Sequence, residues 1–128
     1  MSGPFIFVGT HRIKDGKLEE FKEDARSLTE AVEANEPQLL GFNMFLSEDE
    51  TEVTVVQVHP DADSMLRHME VAHAHIRRST DEQLETKEIQ VYGPPNDAVL
   101  GMIAELTQAG TPISVKPTLL AGFTRGPT

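Results

Sequence analysis

Hydrophobic residues recur at every second position near the start of the chain, which predicts a β-strand over residues 4–13. Its two faces carry Phe5, Phe7, Gly9 and His11 on one side and Ile6, Val8, Thr10 and Arg12 on the other. Both faces begin with apolar side chains, whereas a strand with one wet face alternates apolar and polar residues. We therefore expect both faces of this strand to be covered.

Helices are predicted where apolar residues recur at steps of three and four. One such stripe covers residues 17–35, and Pro37 stops the helix that it predicts. A second helix begins at a cap formed by Asp61 or Asp63, because short acidic side chains satisfy the free N–H groups of a first turn. Its end is expected near Arg78, where positive charge suits the C-terminal dipole.

Three further strands are predicted over residues 38–46, 52–59 and 84–92. A short polar linker joins the first two, as in a hairpin. The order strand, helix, strand, strand, helix, strand is that of the ferredoxin-like split βαβ fold, an α+β class with an antiparallel sheet. Helices cover one face of such a sheet, and the simplest cover for the other face is a second copy of the chain.

An extra helix and strand are predicted after this core. Asn96 is a suitable cap for the helix, and Gly110 lies past its end. Residues 113–123 follow as a last extended segment. Pro117 makes this segment an edge strand or interrupts it, because proline cannot donate a ladder hydrogen bond.

Length and charge narrow the class of protein. The 128 residues suit one domain, residues 1–128, made of a core over 4–92 and an extension over 93–128. The net charge of −10 disfavours binding to nucleic acid. No apolar run approaches the roughly 20 residues of a membrane helix, and the first residues lack a signal peptide's pattern. The absence of Cys fits a reducing compartment, so we expect a cytoplasmic protein without membrane contact.

Several short motifs resemble those of antibiotic biosynthesis monooxygenase domains. The matching residues are Ile6-Phe7-Val8, Lys14-Asp15-Gly16-Lys17, Glu20-Phe21, and Ser64-Met65-Leu66-Arg67-His68 followed by His73. The resemblance covers residues 4–92 and implies a dimeric α/β barrel, that is, a homodimer with a central cavity. Members include cofactor-independent oxygenases that act on quinol- or anthrone-like aromatics, and haem-degrading enzymes. The chain has no Trp, so haem degradation that depends on a Trp is not carried over.

The histidines do not predict a metal site. His68 and His75 lie on one flank of the second helix but about 10.5 Å apart along its axis, too far for one ion held at about 2.1 Å by each. No pair of histidines has the i, i+4 spacing, there is no thiolate ligand, and there is no Gly-rich phosphate loop. We therefore expect neither a metal nor another cofactor. Ser64 has no base adjacent in the sequence, so a nucleophilic serine is not expected.

Five residues are candidates for a small-molecule site. His11 shares a strand face with Phe7, and the resemblance implies that this face turns towards the barrel interior. His11 and His73 are the candidate catalytic bases, and Phe7, Asn43 and His68 are expected to line the cavity. Each histidine has a structural alternative, as a buried, hydrogen-bonded side chain or a brace of the helix. Asn43 either contacts a ligand or faces water.

Two functions follow from this pattern. In the first, the cavity holds a small quinol-like aromatic, a histidine removes a proton, and the electron-rich anion reacts directly with O₂. In the second, the same cavity binds a metabolite without turnover, or side chains fill it and the protein is structural. The substrate and the role of the C-terminal extension stay open at this level.

Overall fold

The computed structural model describes residues 3–125 and confirms the α+β fold class. The elements are β1 (Phe5–Ile13), α1 (Leu18–Asn35), β2 (Gly41–Leu46), β3 (Glu52–His59), α2 (Ala62–Arg78), β4 (Leu84–Tyr92), α3 (Asp97–Gln108) and β5 (Ile113–Lys116). Four strands form an antiparallel sheet in the spatial order β2-β3-β1-β4, which is the predicted split βαβ arrangement. A π-helical turn, Ser79–Gln83, connects α2 to β4 and was not predicted.

β5 lies at the edge of the sheet and runs parallel to β4. The sheet is therefore mixed: its four-stranded core is antiparallel, as predicted, and the additional edge strand is parallel to its neighbour. Parallel neighbours need a crossover connection, which α3 supplies here. β5 is shorter than the predicted segment over 113–123 because it stops at Lys116, directly before Pro117.

The cores of the protein lie on one face of the sheet, which we call the helix-covered face. Near one end, Phe5, Phe7 and Val91 pack against Met65 of α2 and Val99 of α3. A second cluster at the other end joins α1 to the sheet through Phe21, and its other buried members are Ile13, Val53 and Leu84. All three helices contribute to these two clusters, and within residues 3–125 no helix covers the opposite side of the sheet.

This opposite side, the outer face, carries Ile6, Val8, Val56, Val58 and Tyr92 in adjacent strands. All five side chains are only partly buried. The face that carries Phe5, Phe7 and His11 was expected to turn towards a barrel interior, and that expectation is wrong. The helices of the same chain cover that face, and the outer face is the one available to a partner.

The helix caps match the sequence pattern. The Asp61 carboxylate accepts a hydrogen bond from the Ser64 backbone N–H at 3.0 Å, and the Asn96 side chain accepts one from the Val99 N–H at 2.8 Å. The Asn96 amide also donates to Asp63 at 2.8 Å, which fixes the start of α3 against the start of α2. The core and the C-terminal extension are thus joined by a direct polar contact.

Candidate functional site

A cavity of about 310 Å³ lies between the helix-covered face of the sheet and the helices. This volume is at the lower end of the range for small-molecule sites. Most of its wall is apolar. The sheet contributes Phe7, Phe42 and Met44, and the helices contribute Met65, Met69 and Met102. The extension therefore takes part in the wall, because α3 contributes Met102 and Leu106.

A buried histidine–carboxylate pair lies at one end of this cavity. His68 of α2 is 1% exposed, and its Nδ1 lies 3.0 Å from both carboxylate oxygens of Glu36. Glu36 follows the last residue of α1 and is also buried, at 2% exposed. The carboxylate fixes Nδ1 as the proton donor of the ring, as in catalytic histidines that a buried acid orients.

The other ring nitrogen of His68 is the one that can reach a ligand. Nε2 has no hydrogen-bond partner within residues 3–125, yet it is not among the fully enclosed unpartnered atoms of that range. His68 lines the cavity, and the Phe42 ring packs against it at a centroid distance of 5.4 Å. The geometry thus presents one imidazole nitrogen to an apolar space.

A chain of three polar side chains stands beside this pair. The His59 ring lies 2.7 Å from Ser64 Oγ through Nδ1 and 2.9 Å from Gln57 Oε1 through Nε2. Burial, together with the electrostatic effect of the neighbouring His68 ring at a centroid distance of 6.1 Å, lowers the pKa of His59 to about 4. His59 is therefore neutral at pH 7. Ser64 does have a nearby base in space, but neither residue lines the cavity, so no nucleophilic role follows.

His11 lies towards the other end of the cavity. Its Nδ1 is 3.0 Å from Thr86 Oγ1, and burial lowers its pKa, so the ring is neutral at pH 7. A bulge in β4 creates this contact, because the register with β1 shifts between Thr10 and His11. Thr86 and Ile89 therefore both line the cavity although they are three residues apart.

Glycine at position 9 makes room for the His11 ring. A Cβ at this position would lie 3.0 Å from His11 Nε2 and 3.3 Å from Ile89 Cδ1. Contacts this short force a neighbouring group to move. Gly9 thus lets the imidazole lie flat along its own strand inside the cavity.

Four of the five predicted site residues come together in the cavity. Phe7, His11, His68 and His73 line it, whereas Asn43 does not. His73 is exposed, so it stands at the mouth rather than in the interior. Asn43 is exposed on the strand side opposite to Phe42, which corresponds to the alternative that it faces water.

Two important residues were not among the candidates. Glu36 looked like a helix end before Pro37, and its partner is 32 positions away, so no local pattern pointed to it. Gln57 stands in a strand otherwise rich in valine, and a lone amide on the apolar face was the available signal. Gln57 could not be assigned without knowing which face of β3 the helices cover.

Within residues 3–125, no group of three or more His, Asp or Glu side chains is arranged to hold a metal ion. In the same range no helix is long and apolar enough to cross a membrane.

The family model "Antibiotic biosynthesis monooxygenase" matches residues 4–76, which is more than half of the chain. A search of curated protein sequences gives no match.

Solved structures share the fold at low sequence identity. MupZ from Pseudomonas fluorescens is 19% identical with a TM-score of 0.72, and the match covers 98% of this chain and 91% of MupZ. A protein from Caulobacter crescentus CB15, provisionally named an antibiotic biosynthesis monooxygenase, is 22% identical with a TM-score of 0.58 and coverages of 64% and 80%. A conserved protein from Methanosarcina mazei Go1 is 22% identical with a TM-score of 0.60 and coverages of 70% and 90%.

These structures differ in how much of this chain they match. The match to MupZ leaves out 2% of this chain, which is fewer than three residues, so it includes α3 and β5. The other two cover at most 70% of the chain. The C-terminal helix and strand are thus features that this chain shares with MupZ.

Proposed function

Because the chain belongs to the antibiotic biosynthesis monooxygenase family, we propose that it binds a small, reduced aromatic molecule in its cavity and oxidises it with O₂. The observation that carries this proposal is the buried His68–Glu36 pair at the wall of an apolar cavity. A dry, apolar site strengthens the electrostatic interactions within it, and an imidazole oriented by a carboxylate is suited to proton removal. His68 therefore replaces His11 and His73 as our first candidate for the base.

The reaction that suits this site balances without an added reductant. His68 Nε2 takes the acidic proton of an anthrone- or phenol-type substrate, and the resulting anion gives one electron to O₂. The two radicals combine into a C–O bond, the proton returns to the outer oxygen, and water leaves as a ring carbonyl forms. One oxygen atom ends in the quinone and the other in water, and the substrate supplies all four electrons. Anthrone and O₂ thus give anthraquinone and water.

The apolar wall favours a substrate with few charges. A charged ligand would lose its hydration in a cavity whose walls are mainly Phe, Met and aliphatic side chains. His11 with Thr86 and His68 with Gln57 supply polar groups at two separate regions of the wall. This distribution fits an aromatic body with oxygen atoms at its periphery.

The test is oxygen uptake with a panel of anthrone and reduced one- to three-ring aromatics, with quinone formation followed by absorbance. We expect one O₂ consumed per quinone formed, and a 10²- to 10⁴-fold lower rate in His68→Gln. His75→Gln is the matched control, because His75 lies on the same helix outside the cavity wall. Equal rates in both variants contradict the proposal. Binding of quinones without any enzyme-dependent oxygen uptake would support the non-catalytic binding module instead.

A further inference from the structure

Gln57 is the most enclosed amide in the cavity wall. It belongs to β3, is 6% exposed, and stands between Phe42 of β2 and Phe7 of β1 in a row across the sheet. Its Oε1 accepts from His59, but its amide nitrogen has no hydrogen-bond partner within residues 3–125. That nitrogen is also not among the fully enclosed unpartnered atoms, so it reaches the open cavity. Leaving a buried donor without a hydrogen bond costs free energy, so this free N–H group points to an acceptor atom on a ligand.

The orientation of this amide follows from the groups behind it. A neutral imidazole carries one N–H, and its two contacts are Ser64 Oγ and Gln57 Oε1. The Ser64 hydroxyl has no other acceptor within the described chain, so its proton goes to His59 Nδ1. His59 Nε2–H must then donate to Gln57 Oε1. The carbonyl end of Gln57 is thereby held against His59, and the NH₂ group is left for the cavity.

We propose that the Gln57 amide nitrogen donates a hydrogen bond to an oxygen atom of the bound ligand, and that His59 and Ser64 are positioning residues for this donor. This inference rests on the proposed function for the location of the ligand, and it assigns the residue that recognises an oxygen atom of that ligand. The ligand carries a carbonyl or oxyanion acceptor next to the part of the molecule that faces His68. An aromatic hydrocarbon without oxygen fills the same space but leaves the donor unpaired.

A pair of probes that differ in this oxygen tests the proposal. The affinities of 1,4-naphthoquinone and naphthalene are measured by calorimetry on the full chain, and the ratio of the two dissociation constants is the readout. The chain has no Cys, so the quinone cannot form a thiol adduct. We expect the preference for naphthoquinone to fall about tenfold in Gln57→Met, the value of one hydrogen bond. Thr54→Val is the matched control on the same strand, because Thr54 bonds to Thr10 on the outer face.

Gln57→Glu provides a second variant that keeps the contact to His59. One carboxylate oxygen still accepts from His59 Nε2, and the other places an acceptor where the donor was. We expect the preference for naphthoquinone to be lost in this variant, together with a lower melting temperature than that of Thr54→Val, because the buried carboxylate loses its hydration. An unchanged preference in both Gln57 variants overturns the proposal.

The positioning role is read from the His59 ring by long-range ¹H–¹⁵N NMR. We expect the proton on Nε2 in the wild type, and a loss of this single tautomer together with part of the quinone preference in Ser64→Ala. A proton on Nδ1 would turn the Gln57 carbonyl towards the cavity and overturn the inference.

These outcomes separate the two proposals. A Gln57-dependent preference without oxygen uptake keeps the inference and removes the oxygenase function. Oxygen uptake together with a naphthoquinone preference that does not depend on Gln57 keeps the oxygenase function and removes the inference. If neither probe binds the wild type, both proposals are overturned.

Discussion

At the scale of single residues, His59 behind the cavity wall makes the stability of the fold depend on pH. His59 is fully buried and has a pKa of about 4 in the folded chain, against an ordinary value of 6.5. The unfolded chain therefore binds a proton at a higher pH than the folded chain does. Stability from this group is complete above pH 6.5 and is lost as the pH falls towards 4.

We expect the free energy of unfolding to fall by about 3 kcal/mol over this range on account of His59 alone, since each pKa unit is worth about 1.4 kcal/mol. Urea denaturation at several pH values measures this slope. Carboxylates also take up protons in acid, so the comparison with His59→Gln isolates the histidine. Parallel curves for the two proteins between pH 6.5 and 4 would show that His59 does not titrate in this way.

A second residue-scale prediction concerns Gly9. Alanine at this position pushes its Cβ against the His11 ring and Ile89, so we expect a loss of about 1–3 kcal/mol of stability from overpacking. The displaced imidazole also becomes more hydrated. NMR titration should then show the pKa of His11 rising towards 6.5 in Gly9→Ala.

Gly101→Ala is the matched control for Gly9→Ala. An added Cβ at Gly101 meets no atom within 4 Å, and the position lies inside α3. Alanine is a better helix former than glycine, so this variant should gain about 0.5–1 kcal/mol. A Gly9→Ala variant with wild-type stability and an unchanged His11 pKa would contradict the close packing around Gly9.

At the scale of secondary-structure elements, local patterns were sufficient for most bounds. β3 and β4 begin and end at the predicted residues, because β-branched runs and flanking turn residues act within a few positions. α1 and α2 end where proline and the paired arginines indicated. The order of elements, and with it the ferredoxin-like core, is therefore predictable from the sequence.

The features that build the site depend on contacts distant in sequence. The bulge that brings Thr86 to His11 shifts the alternation within β4, and a uniform two-residue pattern cannot represent it. The π-helical turn at Ser79–Gln83 is likewise a tertiary adjustment between α2 and β4. The pairing of Glu36 with His68 needs α1 and α2 to be packed side by side. The candidate histidines were thus predictable as cavity residues, but their partners were not.

The junction between α2 and α3 offers a test at this scale. Asn96 both caps α3 and donates to Asp63, so we expect Asn96→Ala to lose about 1 kcal/mol or slightly more. Asn96→Asp keeps an oxygen for the Val99 N–H but opposes the Asp63 carboxylate. Urea denaturation of both variants separates the contribution of the bond to the Val99 N–H from that of the bond to Asp63. Two variants as stable as the wild type would show that neither contact supports the junction.

At the scale of the whole molecule, the outer face predicts self-association. Ile6, Val8, Val56 and Val58 form an apolar centre that the chain's own helices leave without cover. We expect a two-fold homodimer through this face, with a sedimentation mass twice that of one chain at micromolar concentration. Val8→Lys should give a monomer, because a lysine at the centre of the contact leaves its charge unpaired.

Leu100→Lys is the control for that substitution. Leu100 is also an exposed apolar residue, but it lies on α3, away from the outer face. It should leave the dimer intact. A wild-type chain that sediments as a monomer, or a Val8→Lys variant that stays dimeric, would contradict this assembly.

The side of the sheet on which the cavity lies also determines how ligand binding relates to assembly. The cavity lies on the helix-covered face, opposite to the outer face through which we expect the dimer to form, so a partner seated on the outer face should complete no part of the wall. A ligand that meets the same wall in monomer and dimer has no differential affinity for the two, and by linkage it cannot shift the equilibrium between them. We therefore expect a hyperbolic isotherm with one ligand per chain, and a dissociation constant that does not change when the protein is diluted through dimer dissociation.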